Sequence, residues 1–378
     1  VDCGKLAGMQ SVTWEQVLAW RVRRQFLESP AQASVSDIVA RLAGVQAQVA
    51  SAAELAVAVR QSAPSPRAAE RALWDDRTLV KTWAMRGTLH LLPAEDAGAY
   101  LALVGTVRFW ERASWQKAFG ATPAEVSALT EAVAETLDDR VLTREELVAE
   151  VVRRTGSAHL EQLLRSGWGT LLKPVAWQGY LCQGPSQGTR VTFTRPDSWS
   201  PAWRGVPEPG TAAPTVIRAY LRAHGPATIE AFDAWLTRGM SRKPLLRQWF
   251  QDLGDELETV DVEGERAYVL AADVDELAAQ RPTRVVRLLP GFDQYVMGAG
   301  TGAARVVPPE HRAEVSRTAG WISPVVLARG RVAGVWTLDN GSDHVEVTLF
   351  EKVARGTLMA ETKRLAAILG RRLSLVLS

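Results

Sequence analysis

One order of elements recurs along this chain, and it leaves few folds open. A helical period is followed by a second, and then by two short alternating stretches around a glycine turn. The clearest copy lies between residues 215 and 270. Thr215–Ala223 has helical spacing, His224-Gly225-Pro226 ends it, and Thr228-Ile-Glu-Ala-Phe232 opens the next helix. Pro244–Leu253 reads as a third helix, and Leu257–Val262 and Ala267–Leu270 alternate as strands around Glu263-Gly264-Glu265. An earlier copy opens at Thr143-Arg-Glu-Glu146, the reciprocal capping-box pattern of a helix start. Leu160–Leu172 supplies its second helix, and Gly179–Gln183 and Thr189–Thr194 flank the loop Gly184-Pro185-Ser186-Gln187-Gly188. The first copy runs through Thr13–Leu27 and a helix from Ser36, as N-cap, to Leu42, with Gly44 past its end. Ser51-Ala-Ala-Glu54 reads as a capping box opening a helix to Arg60, and Leu79–Met85 and Thr88–Leu92 alternate around Arg86-Gly87.

This order is that of the winged helix-turn-helix. The expected fold is therefore α+β, mainly helical, with three tandem winged helix-turn-helix units over 9–120, 121–205 and 206–280. A Pro-rich linker, Pro201–Pro214, separates the second unit from the third. Residues 281–378 differ from all three. Val285–Leu289, Val325–Leu327, Val332–Trp336 and His344–Leu349 read as strands, and Lys352–Leu369 as a final helix ended by Gly370.

With 378 residues, 47% hydrophobic and 23% charged, the chain has enough apolar side chain for sizeable cores, which excludes a disordered protein. No apolar run reaches the roughly 18 residues of a membrane span, and no secretory signal is visible, so a cytoplasmic location is expected. Val1–Gly8, ahead of Met9, are set aside as foreign to the fold, and Cys3 with them. Cys3 and Cys182 are the only cysteines, too few for a disulfide framework or a cysteine zinc cluster. The net charge of +2 hides a strong local asymmetry. Residues 281–331 carry eight arginines (281, 284, 287, 305, 312, 317, 329, 331) against Asp293, Glu310 and Glu314, whereas 251–280 carry ten acids against Arg266. The first stretch can meet a polyanion; the second should turn away from one.

The five histidines (90, 159, 224, 311, 344) lack ligand spacing, and neither a G-x-S-x-G elbow nor a Walker loop is present. Gly298-Ala-Gly300-Thr-Gly302 has no helix behind it to present amides to a phosphate, so it reads as a loop. No cofactor and no metal are expected. Gln46 and Gln48 in Gly44-Val-Gln46-Ala-Gln48 are two apart, so on an extended segment their amides point the same way, just ahead of a helix. Such a pair can hold a water and a sugar-phosphate together, since an amide both donates and accepts; the plain alternative is two linker glutamines. The helix behind them, Ser51–Arg60, offers almost nothing to base edges. Recognition of DNA backbone and shape fits better than major-groove reading. Arg329-Gly330-Arg331 forms the tip of a hairpin between Val325 and Trp336, suited either to a minor groove or to plain solvent. Trp83 and Arg86 support the first wing, with phosphate contact as a second role for Arg86. Asp293, after Pro290-Gly291, reads as a turn-fixing residue, a catalytic carboxylate being the alternative.

Three segments together resemble a known family: Gly44-Val-Gln46-Ala-Gln48, Lys81-Thr-Trp83-Ala-Met-Arg86-Gly87-Thr-Leu-His90-Leu-Leu-Pro93, and Leu288-Leu-Pro-Gly-Phe292-Asp293. They resemble the winged-helix DNA glycosylases of the AlkZ/YcaQ type, and Gln48 at the second motif position puts the chain on the Gln-x-Gln side of that family. The resemblance implies that the three winged helices form a concave DNA-binding surface. It implies excision of N7-alkylated, cationic purines, including unhooking of azinomycin-type interstrand crosslinks in antibiotic self-resistance. It implies that Gln46, Gln48 and a β-hairpin are needed for activity. The hairpin is placed at Arg329–Arg331. The implied partner is double-stranded DNA with alkylated purines, met by a monomer away from any membrane. The competing class is a non-catalytic winged-helix DNA-binding protein or transcription regulator.

Overall fold

The structure, a computed structural model, describes residues 9–166, 169–339 and 341–377. Val1–Gly8 and two positions of the helix expected over 160–172 lie outside the described residues. The chain forms two compact units that are discontinuous in sequence. One contains the chain up to Ala69, Ile217–Trp235 and everything from Phe250; the other contains Glu70–Val216 and Leu236–Trp249.

In the first unit a five-stranded sheet has the order Val286–Leu289, Val325–Ala328, Arg331–Thr337, His344–Leu349, Ser374–Leu377. The first four strands are the expected tail strands and pair antiparallel; the last adds parallel to His344–Leu349. The helix Arg355–Leu369 ends at Gly370, which has φ +64°. It buries Leu358 and Leu365 against Val286, Leu288, Trp336 and Val345 of the sheet.

The wing of the third copy is also present, as Leu257–Val262 paired with Glu265–Leu270. Its two-residue turn holds Glu263 and Gly264 at φ +51° and +94°, the geometry whose twist matches antiparallel strands. A strand that sequence pattern did not show, Ser11–Val12, pairs parallel with Asp261–Val262. The helix Trp14–Arg24 then lays Val17 and Trp20 on Val260, Val262 and Val269 of this wing. Leu18 and Val22 reach a separate core with Leu289, Tyr295 and Leu327. Sequence order had grouped this helix with the 79–93 hairpin; packing joins it to elements about 240 residues away, which no local pattern can reveal.

In the second unit Leu79–Trp83 and Leu89–Pro93 form the expected hairpin, turning through Arg86 and Gly87 at φ +57° and +70°. The Thr143 box is present: Thr143 Oγ1 accepts from the Glu146 N–H, and the Glu146 carboxylate accepts from the Thr143 N–H at 2.7 Å. The helix expected over 160–172 is instead two pieces, Ala158–Ser166 and Leu172–Trp177. The loop expected at 184–188 is mostly strand. Cys182–Gln187 pairs with Arg190–Thr194 through a register shift between Gly184 and Gln187, where Pro185 has no N–H to give the ladder. The linker is shorter than expected, because Pro209–His224 is one helix with Pro214 inside it. Among the described residues no helix is long and apolar enough to cross a membrane.

Candidate functional site

The Gln46–Gln48 segment lies between two helices of the first unit. The leading helix is Val35–Arg41, and its cap is Ser34, not Ser36; Ser34 and Asp37 exchange the two capping bonds. Ala43 and Gly44, at φ +55° and +95°, turn the chain into the two-residue strand Val45–Gln46. The extended stretch ends there, and the chain bends at Gln48. The two amides are therefore held differently: Gln46 is 5% exposed and Ala47 1%, while Gln48 lies in the open. Gln46 Oε1 is buried and has no protein partner among the described residues.

The next helix, Ala50–Ala58, has its N-cap two residues earlier than the expected Ser51 and has no capping box. Its N-cap is Val49, which has no side-chain oxygen to give. Glu54 is used elsewhere, accepting the Ala69 N–H at 3.1 and 3.2 Å. Ala50 and Ser51 are exposed, and among the described residues no side chain caps the first-turn N–H groups of this helix. Val49 packs on the core that holds Phe292 and Ile322.

Asp293 lies buried in an ion pair. Its carboxylate takes two 2.8 Å bonds from Arg60, both side chains being fully buried, and accepts the Tyr295 N–H at the start of the helix Gln294–Ala299. Arg60 also donates to Ala56 O and to Gln25 Oε1, and so holds the far end of the helix behind the glutamines. Arg60 is thus unavailable to DNA.

The hairpin at 325–337 forms as expected, with Arg329 and Gly330 at φ +53° and +79°. Its tip turns inward at Gly330, which leaves only the two flanking arginines on the surface. Gly330 is buried, its carbonyl accepts from Tyr295 Oη at 2.8 Å, and a Cβ there would stand 2.7 Å from Leu18 Cβ. Arg329 is exposed and ion-paired with Glu351; Arg331 is exposed and makes no ion pair among the described residues. A second, smaller hairpin was missed. Ser316 and Ile322 bridge antiparallel, Arg317 N donates to Trp321 O, and the tip turns through Ala319 and Gly320 at φ +57° and +75°. This tip is exposed from Arg317 to Trp321, and Trp321, 47% exposed, meets Phe292 edge-on at 5.2 Å. Its arms are too short for alternation to register, and Gly320 between Arg317 and Trp321 was the only signal.

Of the eight arginines at 281–331, Arg287 is bonded to Glu361, Arg305 to Glu263 and Arg329 to Glu351. Arg281, Arg284, Arg312, Arg317 and Arg331 are exposed and make no ion pair among the described residues. In the second unit Arg86 is half-buried at its turn. Burial, and then the charge of Arg86, push the nearby His90 imidazole down to about 3, so this histidine is neutral at pH 7. His90 Nδ1 lies 2.9 Å from Thr88 O. Among the described residues no three His, Cys, Asp or Glu side chains are grouped to hold a metal ion.

The family model described as "DNA glycosylase AlkZ-like" matches residues 39–372, a span that includes both glutamines. The chain belongs to this family, and so to the hydrolases acting on N-glycosyl bonds. The chain is 53% identical over 357 residues to an interstrand DNA cross-link repair glycosylase of Streptomyces sahachiroi, covering 94% of this chain and 95% of that protein. The solved structure of Streptomyces sahachiroi DNA glycosylase AlkZ superposes with a TM-score of 0.94 at 51% identity, covering 98% of this chain and all of that one.

Proposed function

We propose that this DNA glycosylase releases N7-alkylated purines, including those in interstrand crosslinks, with Gln46 and Gln48 as its catalytic residues. Alkylation at N7 makes the purine cationic, so it leaves without being protonated and no general acid is required. As the bond breaks, the sugar becomes oxocarbenium-like. The enzyme must stabilise that charge and place a water on the far face of the sugar. Amide carbonyl dipoles do the first and amide hydrogen bonds the second. The observation that carries this reading is the buried Gln46 Oε1 with no protein partner, one residue from Ala47 and two from an exposed Gln48. The uncapped start of Ala50–Ala58 beside it suits a DNA phosphate. The cross-link repair named for the Streptomyces sahachiroi relative supports the crosslink as substrate.

The helix–helix–wing segments act as winged helices on DNA, and the enzyme works as a cytoplasmic monomer. The groove-entering element is the hairpin Ser316–Ile322, carried by Arg317 and Trp321, with Arg331 and Arg86 on phosphates. Incubation with a duplex containing N7-methylguanine yields alkali-labile abasic sites, and a uracil duplex yields far fewer, because a neutral base leaves poorly unless it is protonated. Equal cleavage of both duplexes, or of neither, contradicts the reading.

A further inference from the structure

We propose that the cavity beside the Arg86-Gly87 turn is an anion site that takes one phosphodiester of a nucleic-acid strand. The inference rests on the reading above only in naming DNA as the source of the anion.

The cavity belongs to the second unit and encloses about 240 Å³. Arg86, Lys173 and Arg238 line it together with Phe109, Trp115 and Trp177, and no carboxylate does. Lys173 and Trp177 are four residues apart on the helix Leu172–Trp177, and so share a face. Gly87 lies against both. A Cβ at Gly87 would sit 3.6 Å from Lys173 Nζ and 3.8 Å from Trp177 Cζ2, the ring atom next to the carbon that bears Nε1. The Trp177 ring is fixed by Trp110, stacked at 6.1 Å, and by Phe109 at 5.5 Å.

Two observations point to a negative ligand. Trp177 is 5% exposed, and its Nε1–H is buried with no protein acceptor among the described residues. An indole N–H can only donate, so it needs an oxygen lone pair from outside the protein. The second is the gathering of three cations around one small space. The Lys173 ammonium makes no hydrogen bond or ion pair among the described residues, and its pKa is lowered by burial and then by the charge of Arg238. Like charges in a partly desolvated cavity repel, and a bound anion removes that penalty. A phosphate matches the donor set: guanidinium forks and an ammonium for its charge, and an indole N–H for a remaining oxygen. The neighbouring Trp115 ring leaves an apolar wall for the attached sugar.

The test uses the full chain and undamaged duplex DNA, so it needs no lesion and stands whether or not purines are released. The Trp177 indole resonance is assigned by its loss in Trp177→Phe. It shifts when inorganic phosphate is added to the wild type, and shifts again when the duplex is added. In the double variant Lys173→Gln/Arg238→Gln the shift disappears. The slope of log affinity against log salt then falls by about 0.9, because both cations serve a single phosphate. A shift with phosphate and none with the duplex overturns the proposal in favour of an adventitious small-anion site. So does an unmoved indole resonance, or a slope unchanged in a folded double variant. The wild-type titrations keep the test decisive if the double variant fails to fold.

Discussion

Two helix entries in this molecule are built differently. At Arg144–Thr155, Thr143 and Glu146 satisfy each other's backbone donors. Trp14–Arg24, Val35–Arg41 and Pro123–Thr136 begin with the same reciprocal box. Ala50–Ala58 begins at Val49, with no side-chain cap and with exposed Ala50 and Ser51 in its first turn. Ahead of it lies a buried glutamine oxygen with no hydrogen-bond partner among the described residues. The boxed entries close on themselves. Arg355–Leu369 also starts without a side-chain cap, at Ala354, so it is the glutamine oxygen beside the Ala50–Ala58 entry that sets that entry apart. The open entry is anchored instead from its far end, where Arg60 bonds Ala56 O and Asp293. The fold is held at one end of this helix, and donors are left available at the other. The two hairpins repeat the contrast: the tip at Gly330 is satisfied inward by Tyr295, and the tip at 319–320 is left outside.

The largest expected effect breaks the anchor. Asp293→Ala leaves the Arg60 charge buried and unpaired, and urea unfolding should show a loss of about 3–5 kcal/mol. Next comes the hairpin contrast. Gly330→Ala drives a Cβ to 2.7 Å from Leu18 Cβ on top of its backbone strain, whereas Gly320→Ala meets nothing within 4 Å. The first should cost about 2–4 kcal/mol and the second about 1–2, from the left-handed backbone alone. Thr143→Ala should then cost about 1 kcal/mol with the excision rate unchanged. Val49→Thr installs the missing cap with little change of shape. The cap and the cost of a hydroxyl against the Phe292 core should roughly offset, leaving stability within about 1 kcal/mol, while DNA binding weakens because a first-turn N–H is occupied; unchanged or tighter DNA binding would show that this N-terminus does not serve the substrate.

Where residues adjacent in sequence decide the structure, sequence pattern was enough. The Thr143 box, the Leu257–Leu270 wing and the Val325–Thr337 hairpin stand as read. Ser51-Ala-Ala-Glu54 carries the same pattern as Thr143–Glu146 and does not form a box, because the Glu54 carboxylate is taken by Ala69 N–H. That competition is set by packing and is invisible in the motif. The Arg329-Gly330 turn was legible as a turn; that it folds inward depends on Leu18 and Tyr295, residues remote in sequence. The glutamine pair was singled out by the family resemblance, since its spacing fits linker glutamines as well, and the unequal burial of the two was not legible, because the chain bends at Gln48.

The central claim is that an amide pair beside an open helix entry suffices to release a purine that alkylation has already made cationic. Single-turnover excision of N7-methylguanine by Gln46→Ala and by Gln48→Ala, with duplex affinity measured alongside, tests it most directly. Each variant should lose on the order of 10²-fold in rate, as removal of one preorganised polar group does, while affinity stays near that of the parent. Wild-type rates in both variants would contradict the account.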